Sequence, residues 1–311
     1  MKAKKTAKNL ILVPFDFDGQ TEPALDYAAK IAGKTRSEII LYHVMMEEGF
    51  FSGLLISAEQ VKVFREGITM KLQSLADGIA DKYKVKVTPV VEQGKPYEKI
   101  IKAAEKMHPR IVVMGRKKSS DVIRNFLGTN TLNVVRASSM PVICVKKQQK
   151  APHDLKILLP LDLSKETRNE VSAAIDLAGF MKASLHIVSI LNVDSAGLEI
   201  VVSTQLEKIR KIVEKYGIVT TAQVIRKAGA DIPEEILKCG RKAGAGMIMI
   251  FTQKEVNFIE YFMGSTAQNV LRESELPVLS LVPGKDNKNL VDHTLVDPFI
   301  KNIVDPLSIL D

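Results

Sequence analysis

Leu12–Gly33, "LVPFDFDGQTEPALDYAAKIAG", returns in altered form as Leu158–Gly179, "LLPLDLSKETRNEVSAAIDLAG". Asp16 pairs with Asp162 and Gly33 with Gly179, both at an offset of 146. Further along, "FLGTNTLNVVRASSMPVICV" (Phe126–Val145) returns as "FMGSTAQNVLRESELPVLSL" (Phe262–Leu281), where Gly128 and Pro141 pair with Gly264 and Pro277 at an offset of 136. Two constant offsets describe one unit present twice, the second copy ten residues shorter in its middle. The polar, proline-containing "KKQQKAPHD" (Lys146–Asp154) joins the copies. The expected organisation is residues 1–147, residues 154–283 and a C-terminal extension, 284–311.

Inside each copy the periodicity alternates between that of a buried strand and that of a helix. Leu10–Val13 reads as a strand ending at Pro14. Glu22–Gly33 reads as a helix with Leu25, Ala28, Ala29 and Ile31 on one face and Gly33 as its C-cap. Ile39–Val44 reads as a second strand. Val61, Phe64, Ile68, Leu72, Leu75 and Ile79 form the apolar stripe of a long helix, and Val85–Val91 a third strand. A helix over Glu98–Met107, a strand over Ile111–Met114, a helix over Gly128–Arg136 and a strand over Val142–Val145 complete the unit; "LKILLP", "SLHIVSI", "TTAQVI", "GMIMI" and "PVLSL" repeat the strands. Five apolar strands alternating with helices imply right-handed crossovers, hence a parallel sheet covered on both faces: a doubly wound α/β unit, twice. Such sheets bind ligands outside the C-terminal strand ends, where the strand order reverses. Pro14, Phe15 and Asp16 follow strand one, and Gly115 follows strand four.

Composition sets outer limits. The 311 residues are 46% hydrophobic and 26% charged, the make-up of a water-soluble globular chain. The net charge of +8 does not describe a nucleic-acid surface: Lys2, Lys4, Lys5 and Lys8 carry half of it on the first eight residues, and aromatics to stack bases are only 5%. The apolar run Leu10–Phe15 is too short for a signal peptide, and no run suits a membrane span, so a cytoplasmic location is the expectation. Cys144 and Cys239 lack metal-like spacing and read as reduced core thiols.

The segment "MGRKKSSDVIRNFLGTNT" (Met114–Thr131) carries the chemistry. Gly115 allows close backbone approach, Gly128–Thr129 opens a helix whose free N–H groups suit phosphate, and Thr129 and Thr131 bring hydroxyl donors. A turn between strand and helix would use the same residues. Taken with "LVPFD" (Leu12–Asp16) and "LYHV" (Leu41–Val44), the segment resembles the universal stress protein family, whose pattern is V-P-x-D, then L-H-V, then G-x2-G-x9-G-[ST]. The likeness spans residues 8–147 and 154–283. It implies two five-stranded sheets of order 3-2-1-4-5, Rossmann-like and of the adenine nucleotide alpha hydrolase-like type. It also implies that ATP or AMP lies across the strand ends. Pro14, Phe15, Asp16 and Val44 would then flank adenine and ribose, Met114 and Gly115 would permit close approach, and Gly128, Thr129, Asn130 and Thr131 would hold ribose and phosphates.

The pattern departs from the family at defined positions. Its middle glycine is Lys118, which either donates to a phosphate or fills the loop that would cradle one. In the second copy Lys254 matches Lys118, Phe251 replaces the first glycine, Gly264–Ser265 remain, Asp162 remains, Ile190 stands for Val44 and Ala267 for Thr131. The Phe251 ring is expected over the base or ribose position, leaving the second copy mainly structural. The overall expectation is therefore a binding regulator of the stress response and not an enzyme; a scaffold acting by protein contact is the alternative, and a slow ATPase the weakest reading.

No sequence context pairs a nucleophile with a base. His43 and His186 read as strand residues satisfied in the core, and no metal-ligand cluster occurs. Asp16 and Asp18 resemble a carboxylate pair, but a strand-end Asp beside a helix-capping Asp explains them. The tail, with Val296-Asp297-Pro298 and Val304-Asp305-Pro306, is apolar enough to lie on its own chain or a partner subunit. Strand five is the expected sheet edge, where the family implies pairing of the two copies as an internal pseudo-dimer, or of two chains as a homodimer.

Overall fold

A computed structural model describes residues 9–19, 21–46, 57–116, 128–146, 149, 151–252 and 264–282. Lys118, Lys254 and the extension 284–311 lie outside the described residues. The chain divides into two compact units at residues 150 and 151.

Unit 1 runs β1 (Leu10–Pro14), α1 (Glu22–Thr35), β2 (Glu38–Met45), α2 (Ala58–Tyr83), β3 (Val87–Gln93), α3 (Pro96–Met107), β4 (Ile111–Gly115), α4 (Thr129–Ala137) and β5 (Val142–Val145). All pairings within its sheet are parallel, in the order β3-β2-β1-β4-β5, as the resemblance implied. The chain leaves β1 toward β2 and returns on its other side at β4, so the crevice opens where those two connections part. β1, β4 and β5 are almost wholly buried, which explains their unbroken apolar runs. α1 packs beside α2 and α3 beside α4, covering the two faces.

Unit 2 repeats this with β6 (Lys156–Pro160), α5 (Thr167–Met181), β7 (Ser184–Leu191), α6 (Ala196–Lys215), β8 (Thr220–Arg226), α7 (Ile232–Lys242), β9 (Met247–Phe251), α8 (Ser265–Glu273) and β10 (Val278–Leu281). Its order, β8-β7-β6-β9-β10, is that of unit 1.

Four local expectations change. Gly33 is not the C-cap of α1: the helix continues to Thr35, whose hydroxyl donates to the Ile31 carbonyl at 2.8 Å, and Arg36 takes the left-handed cap at φ 54°. Lys182, at φ 53°, does the same for α5 beyond Gly179. β3 starts at Val87, two residues later than expected, because Lys84 adopts the left-handed conformation as C-cap of α2. Pro89, which cannot donate to a ladder, is tolerated because β3 pairs within its sheet only with β2. The stripe of α2 is half-used: Leu72 is buried, but Phe64 is 54% exposed, because Phe64 and Ile68 face a cleft and not the sheet. Asp18 does not cap α1, whose N-cap is Thr21.

Candidate functional site

Each unit carries a cleft at the C-terminal ends of its central strands. In unit 1 the strand-one lip is fixed by its neighbours. Phe15 donates its N–H to the Tyr42 carbonyl at 2.9 Å, and the Phe15 carbonyl faces His43 Nδ1 at 2.7 Å. That acceptor fixes the proton on Nδ1. The His43 ring meets Phe17 edge-on at 5.1 Å, Phe17 meets Phe15 at 5.0 Å, and Lys71 Nζ lies 5.0 Å from the Phe17 ring centre. Phe17 itself takes the left-handed region, φ 61°, where a bulky side chain is rarely found. The Asp16 carboxylate closes this turn by accepting from the Asp18 N–H (3.3 Å) and the Thr21 hydroxyl (3.2 Å).

Unit 2 builds the same lip from different side chains. Leu161 donates to the Val188 carbonyl at 2.9 Å, Asp162 accepts from the Ser164 N–H at 2.9 Å, and Leu163 repeats the left-handed turn at φ 58°. A turn preserved while its side chains change belongs to the backbone architecture at the crevice.

The opposite lip is a helix start. Gly128, at φ −53° and ψ 139°, is the N-cap of α4, makes no side-chain capping bond, and is followed by no acidic residue in the first turn. Among the described residues, no side chain caps the first N–H groups of α4 or its positive dipole end. Thr131 is 5% exposed and donates its hydroxyl hydrogen to the Gly115 carbonyl at 3.2 Å. That proton is committed to the protein, so what Thr131 retains for a ligand is its lone pairs and backbone N–H, not the hydroxyl donor expected from sequence.

Pro14, Phe15, Asp16, Val44, Met114, Gly115, Gly128, Thr129, Asn130 and Thr131 line one cleft of about 640 Å³. Tyr42, Pro96 and Ile100 also line it without having been read as site residues, and so does His43. His43 is buried, as expected of a core residue, and forms part of the wall as well. Asp16 is the one carboxylate among the described lining residues.

The unit 2 cleft is about half as large, 330 Å³, and Asp162, Ile190, Phe251, Gly264 and Ser265 all line it. Phe251 is one of the residues of its wall. Glu170, on α5, also lines this cleft and was missed; burial first, then the nearby charges of Asp162 and Glu166, push its carboxyl up to about 8. The signal was available, since Glu170 aligns with Ala24 in the two segments that define the repeat.

Among the described residues, no group of three or more His, Cys, Asp or Glu side chains could hold a metal ion, and no helix is long and apolar enough to cross a membrane. Cys144 and Cys239 are free and buried. His186 is not a fully satisfied core residue: Nδ1 meets the Thr221 hydroxyl at 2.7 Å, while Nε2 is buried with no hydrogen-bond partner within reach among the described residues.

Fold and clefts together define a tandem of two doubly wound α/β units, each with a crevice between strand one and a helix start. The sequence profile of the universal stress protein family matches residues 9–146 and 155–281, and the chain belongs to that family. A universal stress protein of Methanocaldococcus jannaschii is 31% identical over 153 residues, which is 44% of this chain and 94% of that protein. A universal stress protein crystal structure from Archaeoglobus fulgidus DSM 4304 superposes with a TM-score of 0.70 at 20% identity, covering 89% of this chain and 99% of that one. A putative universal stress protein from Pseudomonas aeruginosa UCBPP-PA14 gives 0.62 at 19% identity, over 94% and 98%. Both structures share the fold over nearly the whole tandem.

Proposed function

We infer that unit 1 binds an adenine nucleotide, ATP or AMP, and that the chain acts as a nucleotide-responsive regulator without chemical turnover as its main task. The observation that carries this reading is convergence: ten residues chosen from the family pattern, drawn from β1, β2, β4 and the start of α4, line a single cleft of about 640 Å³. That volume lies in the range of small-molecule sites, and its walls combine apolar surface with a few polar groups. In this reading the base and ribose occupy the Phe15–Val44 side, Gly115 permits close approach, and the phosphates meet the first N–H groups of α4, those of Thr129, Asn130 and Thr131. Unit 2, with the smaller cleft, serves a mainly structural role.

The scaffold reading has its own support in Lys118, which stands where the family pattern has glycine. Calorimetric titration of the full chain with ATP, AMP and adenosine separates the two. The nucleotide reading expects one phosphate-dependent site per chain, with AMP tighter than adenosine. Adenosine binding as tightly as ATP removes the phosphate cradle, and silence with all three at millimolar ligand leaves the scaffold.

A further inference from the structure

The two clefts share a backbone but differ in one charged wall residue. Ala24 of α1 is fully buried and does not line the unit 1 cleft; Glu170, at the matching position of α5, lines the unit 2 cleft. No hydrogen bond or ion pair to the Glu170 carboxyl occurs among the described residues, whereas Asp162 across the same cleft accepts from the Ser164 N–H. The rest of that wall is largely apolar: Ile190, Ile232, Ile236, Met249, Ile250 and Phe251. Above the pH of about 8 at which Glu170 releases its proton, two carboxylates face one narrow, apolar-walled space and repel an incoming anion, and no described cationic side chain lines the cleft to offset them. The helix start at Gly264, otherwise like the one at Gly128, is therefore opposed by negative charge.

We propose that Glu170, once ionised, sets the ligand-charge selectivity of the unit 2 cleft, turning it against phosphate-bearing ligands while leaving room for uncharged ones. This deepens the asymmetry between units stated above and rests on the same assignment of the crevices as binding sites. It also changes the cause of that asymmetry. Phe251 is part of the wall, but the ionised carboxylate decides which ligand class is refused. Removing the charge alone admits phosphate.

The test uses the full chain at pH 9, with isoleucine methyl resonances as local reporters: Ile190 and Ile236 for unit 2, Ile68 and Ile100 for unit 1. The probes are AMP and adenosine. In the native chain AMP perturbs Ile190 and Ile236 at least about tenfold more weakly than adenosine does. In Glu170→Gln, which keeps the size and removes the charge, AMP affinity at those methyls rises about tenfold or more. Glu170→Ala, carrying the residue of unit 1, rises as well. The proposal is overturned if AMP and adenosine are equal at unit 2 of the native chain, or if AMP leaves Ile190 and Ile236 as silent in both variants as in the native chain. Silence at Ile68 and Ile100 with a response at Ile190 would sink the unit 1 nucleotide reading and leave Glu170's role standing.

Discussion

Thr131, in the first turn of α4, donates its hydroxyl hydrogen to the carbonyl oxygen of Gly115, the last residue of β4, at 3.2 Å. This bond spans the segment 116–127 and ties the helix start to the strand end. In unit 2 the matching residue is Ala267, which has no hydroxyl to make the tie.

Thr131→Val keeps the shape and removes the bond. Loss of one hydrogen bond of this kind costs about 1 kcal/mol, so the thermal midpoint falls by a few degrees. If the tie also sets the cleft, AMP affinity falls about fivefold in step. Melting curves with and without AMP measure both. A melting point that drops with AMP affinity unchanged would make Thr131 a purely structural clasp.

The stability of unit 2 carries a pH signature from Glu170. Its folded carboxyl titrates near 8 against an ordinary value of 4.5. Between those values the folded chain holds a proton that the unfolded chain has released. The stabilisation is complete below the unfolded value and is lost as pH rises through the folded one. The slope is on the order of 1.4 kcal/mol per pH unit for this group. Glu170→Gln abolishes that slope: the variant unfolds like the native chain near pH 4.5 and is the more stable of the two at pH 8.5. Urea midpoints of both proteins across that range decide it, and parallel curves would refute the assignment.

Much of this architecture is written in residue periodicity. The β1 and β4 runs are apolar at every position because both faces are covered, and the duplicated offsets set the strand order of unit 2 once that of unit 1 is known. What could not be read are features set by packing. Arg36 occupies a left-handed cap that a glycine search assigns to Gly33, because nothing in an arginine side chain announces φ 54°. The stripe of α2 identifies a face but not what it faces, so Phe64 read as core although it stands at a cleft. Glu170 is visible as a mismatch with Ala24, yet its charge matters only because α5 turns that position toward the strand ends.

The two thiols should resist modification in the native chain. Burial pushes the Cys144 thiol up to about 12 and raises that of Cys239, so the reactive thiolate is scarce at both. Labelling by an aromatic disulfide at pH 7.5 is expected only as fast as the chain opens, with Cys144, in the centre of β5, slower than Cys239 on α7. Rapid labelling of Cys144 without added denaturant would contradict this burial.

The sharpest comparison is between the two N-cap glycines. Gly264 has φ −55° and ψ 155°, angles open to any residue, and a Cβ built there meets no atom of the described residues within 4 Å. Contacts with the described residues therefore give no reason for glycine at 264, and Gly264→Val should cost no more than about 1 kcal/mol, the preference of an N-cap for glycine over valine. Gly128 has the same kind of backbone, φ −53° and ψ 139°, so conformation does not demand glycine there either. If unit 1 receives nucleotide against the start of α4, the requirement at 128 comes from the ligand, and a valine side chain occupies the approach to the N–H groups of Thr129 and Asn130. Gly128→Val is then expected to lower the melting temperature by no more than a few degrees while losing AMP binding by more than about a hundredfold, and Gly264→Val to show the same small drop with AMP binding kept. Equal losses of AMP binding from the two changes would show that the clefts work alike, and full AMP binding in Gly128→Val would move the phosphate site away from α4.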